Sequence, residues 1–315
     1  MSATAKDTLQ EQDTKGRFVR LAATFREFVS DDHPKFQPEA GRYQLVISWG
    51  CPWANRVACV RTLKGLEDAI GLSVVHPTWG FTKPEVDQHA GWVFASSMSS
   101  PTGMGRFDFE QDNGPFPDAK SVRDIYEATG NDPHKYTVPL LWDKKTGTIV
   151  NNESSDLIVM LNEAFNSVAK HPEVDLNPTE TLEKQAELNE WIYANVNNGV
   201  YRAGFAKSQF AYDEAIEDLF GSLDRLEAHL SSSRYLCGNK LTLADIRLCM
   251  TLFRFDEVYV VYFKCNKKQI SEYPNLINYC RDVYQTPGIK ENIHMDHIMT
   301  HYYTSLPTLY HYAVI

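Results

Sequence analysis

The stretch "SWGCPWANR", residues 48–56, decides the fold of this chain. It follows "YQLVIS" (43–48), a short apolar run that reads as a buried strand. Pro52 suits the first turn of a helix, where its missing N–H costs nothing. Ala54, Val57 and Ala58 recur at i, i+3 and i+4, the inner face of that helix. Cys51 therefore stands between a strand end and a helix start. Unpaired N–H groups and partial positive charge at such a point stabilise a thiolate, so the pKa is expected below the roughly 8.5 of an ordinary thiol. The other reading is a buried, inert cysteine; the flanking glycine and proline favour the activated thiol. A dithiol redox motif would carry a second cysteine where this chain has Ala54.

Further along, "LSVVHPTW" (72–79) reads as a second strand, and residues 80–120 as a long glycine- and proline-rich loop of little periodicity. A short helix over 121–129 precedes two strands, "TVPLLWD" (137–143) and "GTIVNN" (147–152). A helix with Leu157, Leu161, Ala164 and Phe165 on one face follows. "KHPEVDLNP" (170–178) breaks the pattern and marks a domain boundary, with Asn177-Pro178 as cap and first turn of the next helix. Beyond it everything is helical. Residues 212–230 carry an apolar stripe, Thr242 to Asp245 form a capping motif, and helices are expected near 274–285 and 289–300. The expected architecture is an N-terminal extension (1–40), an α/β domain (41–170) and an all-α domain (176–315).

The 315 residues carry a net charge of −10 and no clustered Lys or Arg, which disfavours nucleic acid and anionic membrane surfaces as partners. No apolar run is long enough to span a bilayer, and the first residues hold no apolar signal core. The six cysteines (51, 59, 237, 249, 265, 280) form no disulfide framework, CxxC pair or zinc-like cluster. A cytoplasmic protein under reducing conditions is the expectation.

Two further stretches bear chemistry. Val138-Pro139 opens a strand; a cis bond there would let Val138 pair with an extended peptide, and a plain edge-strand proline is the alternative. Asn151-Asn152-Glu153-Ser154 precedes a helix whose N–H groups can bind a carboxylate while Glu153 receives an ammonium; helix capping explains the same residues. His294, His297 and His301 have a metal-like spacing, but no ligand beyond Asp296 completes a set, so they read as surface or interface residues and no metal is expected.

Strand-"CPWA"-helix, then "VP", then "ES" before a helix, then "LTLAD" (241–245) in a helical domain resembles the glutathione transferases, with a thioredoxin-like first domain. "SWGCPWANR" resembles the Xi class, the glutathionyl-hydroquinone reductases. So do "GWVF" (91–94), "TVPLLWDKKTGTIVNNES" (137–154), "NNGVYRAGFA" (197–206), "RFDEVYVVYFKCN" (254–266), "YPNL" (273–276) and "DHIMTHYY" (296–303). The resemblance implies Cys51 as nucleophile and glutathione, as co-substrate, held by Trp92, Lys135, Val138, Glu153 and Ser154. Lys135 stands where the class is expected to carry arginine; it keeps the charge without the planar fork. Tyr201, Tyr259 and Tyr302 match the aromatic-substrate pocket, with Tyr201 as proton donor, although from the residues alone they fit large core side chains equally well. The implied reaction is glutathione-dependent reduction of S-glutathionyl-hydroquinones by a homodimer. An Omega-like thiol transferase or dehydroascorbate reductase shares the cysteine, and a non-catalytic binding protein shares the fold.

Overall fold

The structure, a computed structural model, describes residues 11–99, 105–109, 113–130 and 135–305. The outer ends of the expected extension and helical domain, and parts of the 80–120 loop, lie outside the described residues.

The chain divides into two compact units, at Val174–Asp175 within the predicted boundary stretch. Among the described residues the first holds 22–174 and 292–305, and the second holds 11–21 and 175–291.

In the first unit, β1 (Tyr43–Ile47) runs into α1 (Pro52–Leu63) and returns as β2 (Ile70–Val74), parallel to β1. The second strand starts two residues earlier than "LSVVHPTW" suggests and stops at Val74; the chain then leaves the sheet, and the Pro77 carbonyl is taken up by His301 as described below. The 80–120 segment is less irregular than expected. It pairs β3 (Gly80–Phe81) with β4 (Ala90–Gly91), and β5 (Ser97–Ser99) with β6 (Arg106–Asp108), in small antiparallel ribbons. Then come α2 (Val122–Ala128), β7 (Leu140–Asp143), β8 (Thr148–Asn151) and α3 (Ser154–Glu163). The sheet order is β2-β1-β7-β8, with β7 and β8 antiparallel to their neighbours. This βαβ–ββα arrangement is thioredoxin-like.

Every residue of β1 is buried, as a central strand covered on both faces requires. At its start Arg42 makes a two-pronged ion pair with Asp143 of β7, at 2.8 and 2.7 Å, both side chains buried. Such a fork needs all its donors and acceptors satisfied to repay desolvation. The edge strand β8 does not face solvent alone: Glu27 N–H donates to the Val150 carbonyl (3.1 Å) and Asn151 Nδ2 to the Glu27 carbonyl (3.1 Å). Residues of the extension thereby cover an edge that would otherwise invite foreign strands. The linker is held as well, since buried Lys64 at the end of α1 donates to the Val174 carbonyl at 2.6 Å.

The second unit is helical: α4 (Leu182–Ile192), α5 (Gly199–Gly204), α6 (Gln209–Leu230), α7 (Leu243–Arg254), α8 (Val260–Tyr262) and α9 (Pro274–Gln285). Asn177-Pro178 leads into a 3₁₀ turn, Thr179–Thr181, before α4 rather than directly into an α-helix. Five-residue π-turns, Tyr193–Asn197 and Phe255–Tyr259, join α4 to α5 and α7 to α8; such turns concentrate at functional places. The Thr242–Asp245 capping box forms with Asp in the acid position. Asp Oδ2 takes both the Thr242 N–H and its hydroxyl (2.8 Å each), and Oδ1 takes Leu236 N–H and Tyr279 O–H (2.9 Å each). The last helix, α10 (Met295–Ser305), starts later than 289 and belongs to the first unit.

Candidate active site

Cys51 is the N-cap residue of α1, with extended backbone (φ −87°, ψ 117°), and is 8% exposed. Its carbonyl accepts from Ala54 and Asn55 N–H at 3.1 and 3.0 Å, which starts the helix directly behind the thiol. All six cysteines are thiols. The Cys51 thiol donates to the Val138 carbonyl, Sγ to O 3.6 Å. The Val138–Pro139 bond is cis. Among the described residues no acceptor meets the Val138 N–H, so one strand-like donor is open beside the sulfur. Position 54, where a resolving cysteine would stand, holds a fully buried alanine.

A hydrogen-bonded relay sets the loop that carries Val138. Buried Tyr126 of α2 donates its hydroxyl to the Thr137 carbonyl (2.9 Å) and accepts from Asn152 Nδ2 (2.9 Å). Asn152 in turn exchanges bonds with the backbone of Phe25 in the extension, 3.0 Å each way. Burial pushes the Tyr126 phenol up, against the opposing pull of Thr137 and Asn152, so it stays a neutral donor.

Glu153 and Ser154 open α3. Glu153 is its N-cap, its Oε1 accepting from Ser155 N–H at 3.0 Å and Ser155 Oγ at 2.9 Å. The residue missed in the sequence is Arg56, the last letter of the decisive motif. Its side chain is buried, Nη2 donates to Ser154 Oγ at 2.5 Å and lies 3.8 Å from Glu153 Oε1. Its guanidinium lies 4.9 Å from the Trp53 ring centroid, which gives that tryptophan a physical role. α1 thus orients the acidic, hydroxyl-bearing end of α3. An open backbone donor near a thiol, with a carboxylate and a hydroxyl at a second helix N-terminus, fits a peptide bearing a sulfur, a carboxylate and an ammonium.

Trp92, 7% exposed, packs its ring 4.6 Å from His301 of α10 and edge-on to Trp79 at 5.5 Å. His301 Nδ1 donates to the Pro77 carbonyl at 2.9 Å, and Trp49 meets His294 at 4.4 Å. Of the surface or interface readings, burial excludes the surface one: His301 is buried and His297 and His294 are half-buried, in α10 of the first unit. Among the described residues no group of His, Cys, Asp or Glu is arranged to hold a metal. Tyr302 follows His301, 3% exposed. Lys135 is half-buried, three residues ahead of Val138.

Tyr201 and Tyr259 lie in the second unit, with ring centroids 6.2 Å apart. Phe263 stacks on Tyr259 at 5.3 Å and 10°, and meets Tyr201 edge-on at 5.3 Å. Gly204 permits this: a Cβ there would stand 2.2 Å from Phe263 Cδ1. Tyr259 is fully buried and Tyr201 8% exposed, so of the two Tyr201 alone offers surface.

A thioredoxin-like sheet with a cysteine capping its first helix, a cis-proline opposite, and a separate helical unit defines a glutathione transferase. The family models "Glutathione S-transferase, N-terminal domain" and "Glutathione S-transferase, C-terminal domain" match residues 50–164 and 209–282. The chain belongs to this family, and within it to the Xi class with the glutathionyl-hydroquinone reductases. It is 44% identical to glutathionyl-hydroquinone reductase YqjG of Escherichia coli K12, over 95% of this chain and 88% of the relative. The glutathione-bound structure of YqjG matches with a TM-score of 0.79, over 91% of this chain and 89% of that one. The Xi glutathione transferase of Phanerochaete chrysosporium matches with a TM-score of 0.86 at 44% identity, over 95% and 91%. "Glutathione S-transferase omega-like 2" of Schizosaccharomyces pombe is 41% identical over 91% and 88%.

Proposed function

We propose that this chain is a glutathionyl-hydroquinone reductase that works through a Cys51–glutathione mixed disulfide. The Cys51 thiolate attacks the glutathione sulfur of an S-glutathionyl-hydroquinone, forming an S–S bond as the carbon–sulfur bond breaks. The pair from that bond stays on the ring carbon, which takes a proton from Tyr201; Tyr302 orients the ring hydroxyls, and fully buried Tyr259 supports Tyr201 from within the aromatic cluster. Hydroquinone leaves. A second glutathione thiolate attacks the glutathione sulfur of the adduct, releasing glutathione disulfide and the Cys51 thiolate. Val138 pairs with the peptide backbone, Glu153 and Ser154 hold its γ-glutamyl end, Lys135 supplies charge and Trp92 walls the site.

The observation that carries this reading is Cys51 at the N-terminus of α1 beside Val138, with Ala54 where a resolving thiol would be. Without an internal partner the adduct must wait for external thiol. Protein incubated with substrate alone is expected to gain one glutathione at Cys51 by mass spectrometry, and Cys51→Ser to lose turnover. An unmodified Cys51, or full activity in that variant, rejects the mechanism.

The Omega-like relative keeps a second reading in play, thiol transfer or dehydroascorbate reduction by the same cysteine. Rates on a glutathionyl-hydroquinone and on dehydroascorbate separate the two. We also propose a cytoplasmic homodimer; light scattering after size exclusion reads its mass.

A further inference from the structure

Arg20 belongs to the extension, outside the stretches that resemble the Xi class, yet it lies over Tyr201. Its guanidinium carbon is 5.0 Å from the Tyr201 ring centroid and 5.4 Å from that of Phe18. Its Nε donates to Asn198 Oδ1 at 3.1 Å. Asn198 sits three residues before Tyr201 and is itself fixed, its N–H on the Tyr193 carbonyl (2.8 Å) and its carbonyl on Arg202 N–H (2.9 Å). One turn therefore places both the phenol and the cation. The extension is pinned around Arg20 as well. Arg17 forks onto Glu214 at 2.7 Å twice, Lys207 N–H donates to the Gly16 carbonyl (2.9 Å), and Ser208 Oγ to the Lys15 carbonyl (2.8 Å).

We propose that Arg20 is a positioning residue for Tyr201: a fixed cation on the ring face that stabilises the phenolate formed when Tyr201 gives its proton to the departing ring carbon. The proposal rests on the reaction above. In that step the Tyr201 O–H bond breaks, the proton joins the carbon that keeps the C–S electron pair, and negative charge appears on the phenol; solvent later restores the proton. A cation already held beside the ring needs no reorganisation as that charge develops. Its attraction to the neutral ring face also fixes the phenol's orientation beforehand. This gives the extension a part in the chemistry beyond covering a sheet edge.

Two substrates separate this role from a structural one. A glutathionyl-hydroquinone releases carbon and needs the tyrosine proton. The mixed disulfide of glutathione with 2-mercaptoethanol releases a thiolate and does not. Arg20→Met is expected to lower kcat on the first about tenfold with KM little changed, the scale of a desolvated cation–π contact, and to leave the second unchanged. Arg20→Lys should recover most of the loss. In a Tyr201→Phe background Arg20→Met should have no further effect, because the two residues act as a unit. Unchanged hydroquinone turnover in Arg20→Met, an equal fall on both substrates, or an undiminished effect in the Tyr201→Phe background overturns the proposal. Full activity of Tyr201→Phe instead rejects the underlying assignment of Tyr201, a result that does not depend on Arg20. Unfolding midpoints of the Met and Lys variants identify a loss that comes from misfolding.

Discussion

Gly50 and His301 touch so closely that any side chain at position 50 would force a shift: a Cβ there would stand 2.6 Å from His301 Cβ and 2.8 Å from its Cγ. The glycine beside Cys51 is thus favoured by the neighbour across from it. Its backbone does not enter the left-handed region, so turn freedom is not the reason. His301 cannot retreat freely, since its ring is tied to the Pro77 carbonyl and packed on Trp92. Gly50→Ala is expected to lose about 1–3 kcal/mol, the usual cost of overpacking, and to disturb the thiol next to it. Urea unfolding gives the first quantity and turnover the second. A variant as stable and active as the parent would show that α10 yields easily.

Arg56 links the nucleophile's helix to Ser154 and Glu153, so its removal should act on glutathione binding before chemistry. Hydrogen bonds to a charged group are worth about 1.5–3 kcal/mol, so Arg56→Met should raise KM for glutathione about tenfold or more. The fall in kcat should be smaller, because Cys51 and Val138 keep their own contact. Arg56→Lys is not conservative here: it gives up the geometry that spans Ser154 Oγ and the Trp53 face. Steady-state kinetics with glutathione varied decides this, and an unchanged KM in Arg56→Met removes the assignment.

Gly204 holds the tyrosine pair in place indirectly. Adding a methyl drives Phe263 off its position, and Phe263 is what stacks on Tyr259 and meets Tyr201 edge-on. Gly204→Ala should lower kcat on glutathionyl-hydroquinones and destabilise the protein by about 1–3 kcal/mol. Thiol transfer from a small mixed disulfide should survive, because Cys51 is elsewhere in the chain. Equal losses on both substrates would point to general unfolding.

What the sequence made legible is what local pattern encodes. The buried strand "YQLVI", the Cys-Pro helix start, the Val-Pro bond and the Thr242–Asp245 cap each act over a few residues, and each is found. The misreadings have long-range causes. "HPTW" looks like a strand's continuation because nothing local shows that the Pro77 carbonyl is engaged by a histidine 224 residues on. Nothing local marks Arg56 or Arg20, because their partners are 98 and 178 residues away. The three helix-spaced histidines read as surface or interface residues because the ring partners that take them up, such as Trp49 and Trp92, are far away in the chain. The tyrosines remain ambiguous for a related reason: Tyr259 is at once fully buried core and a wall of the aromatic cluster.

The half-buried His297 carries a pH dependence. Burial holds its imidazole down to about 4, with the charges of His294 and His76 on the same side and Asp296 opposing. An unfolded chain has this group near its ordinary value of about 6.5. Between those values the unfolded state binds a proton that the folded state refuses, so stability rises with pH across that window and falls as pH drops from about 6.5 toward 4. Below about 4 both states are protonated and this contribution levels off. His297→Phe keeps an aromatic ring against Phe109, now 4.3 Å away, and removes the titration. Urea unfolding at a series of pH values should give the variant a shallower slope than the parent between 4 and 6.5, with the curves converging in shape above neutrality. Carboxylates titrate alike in both proteins, so the difference isolates the histidine, and parallel curves across the window would exclude it as the source.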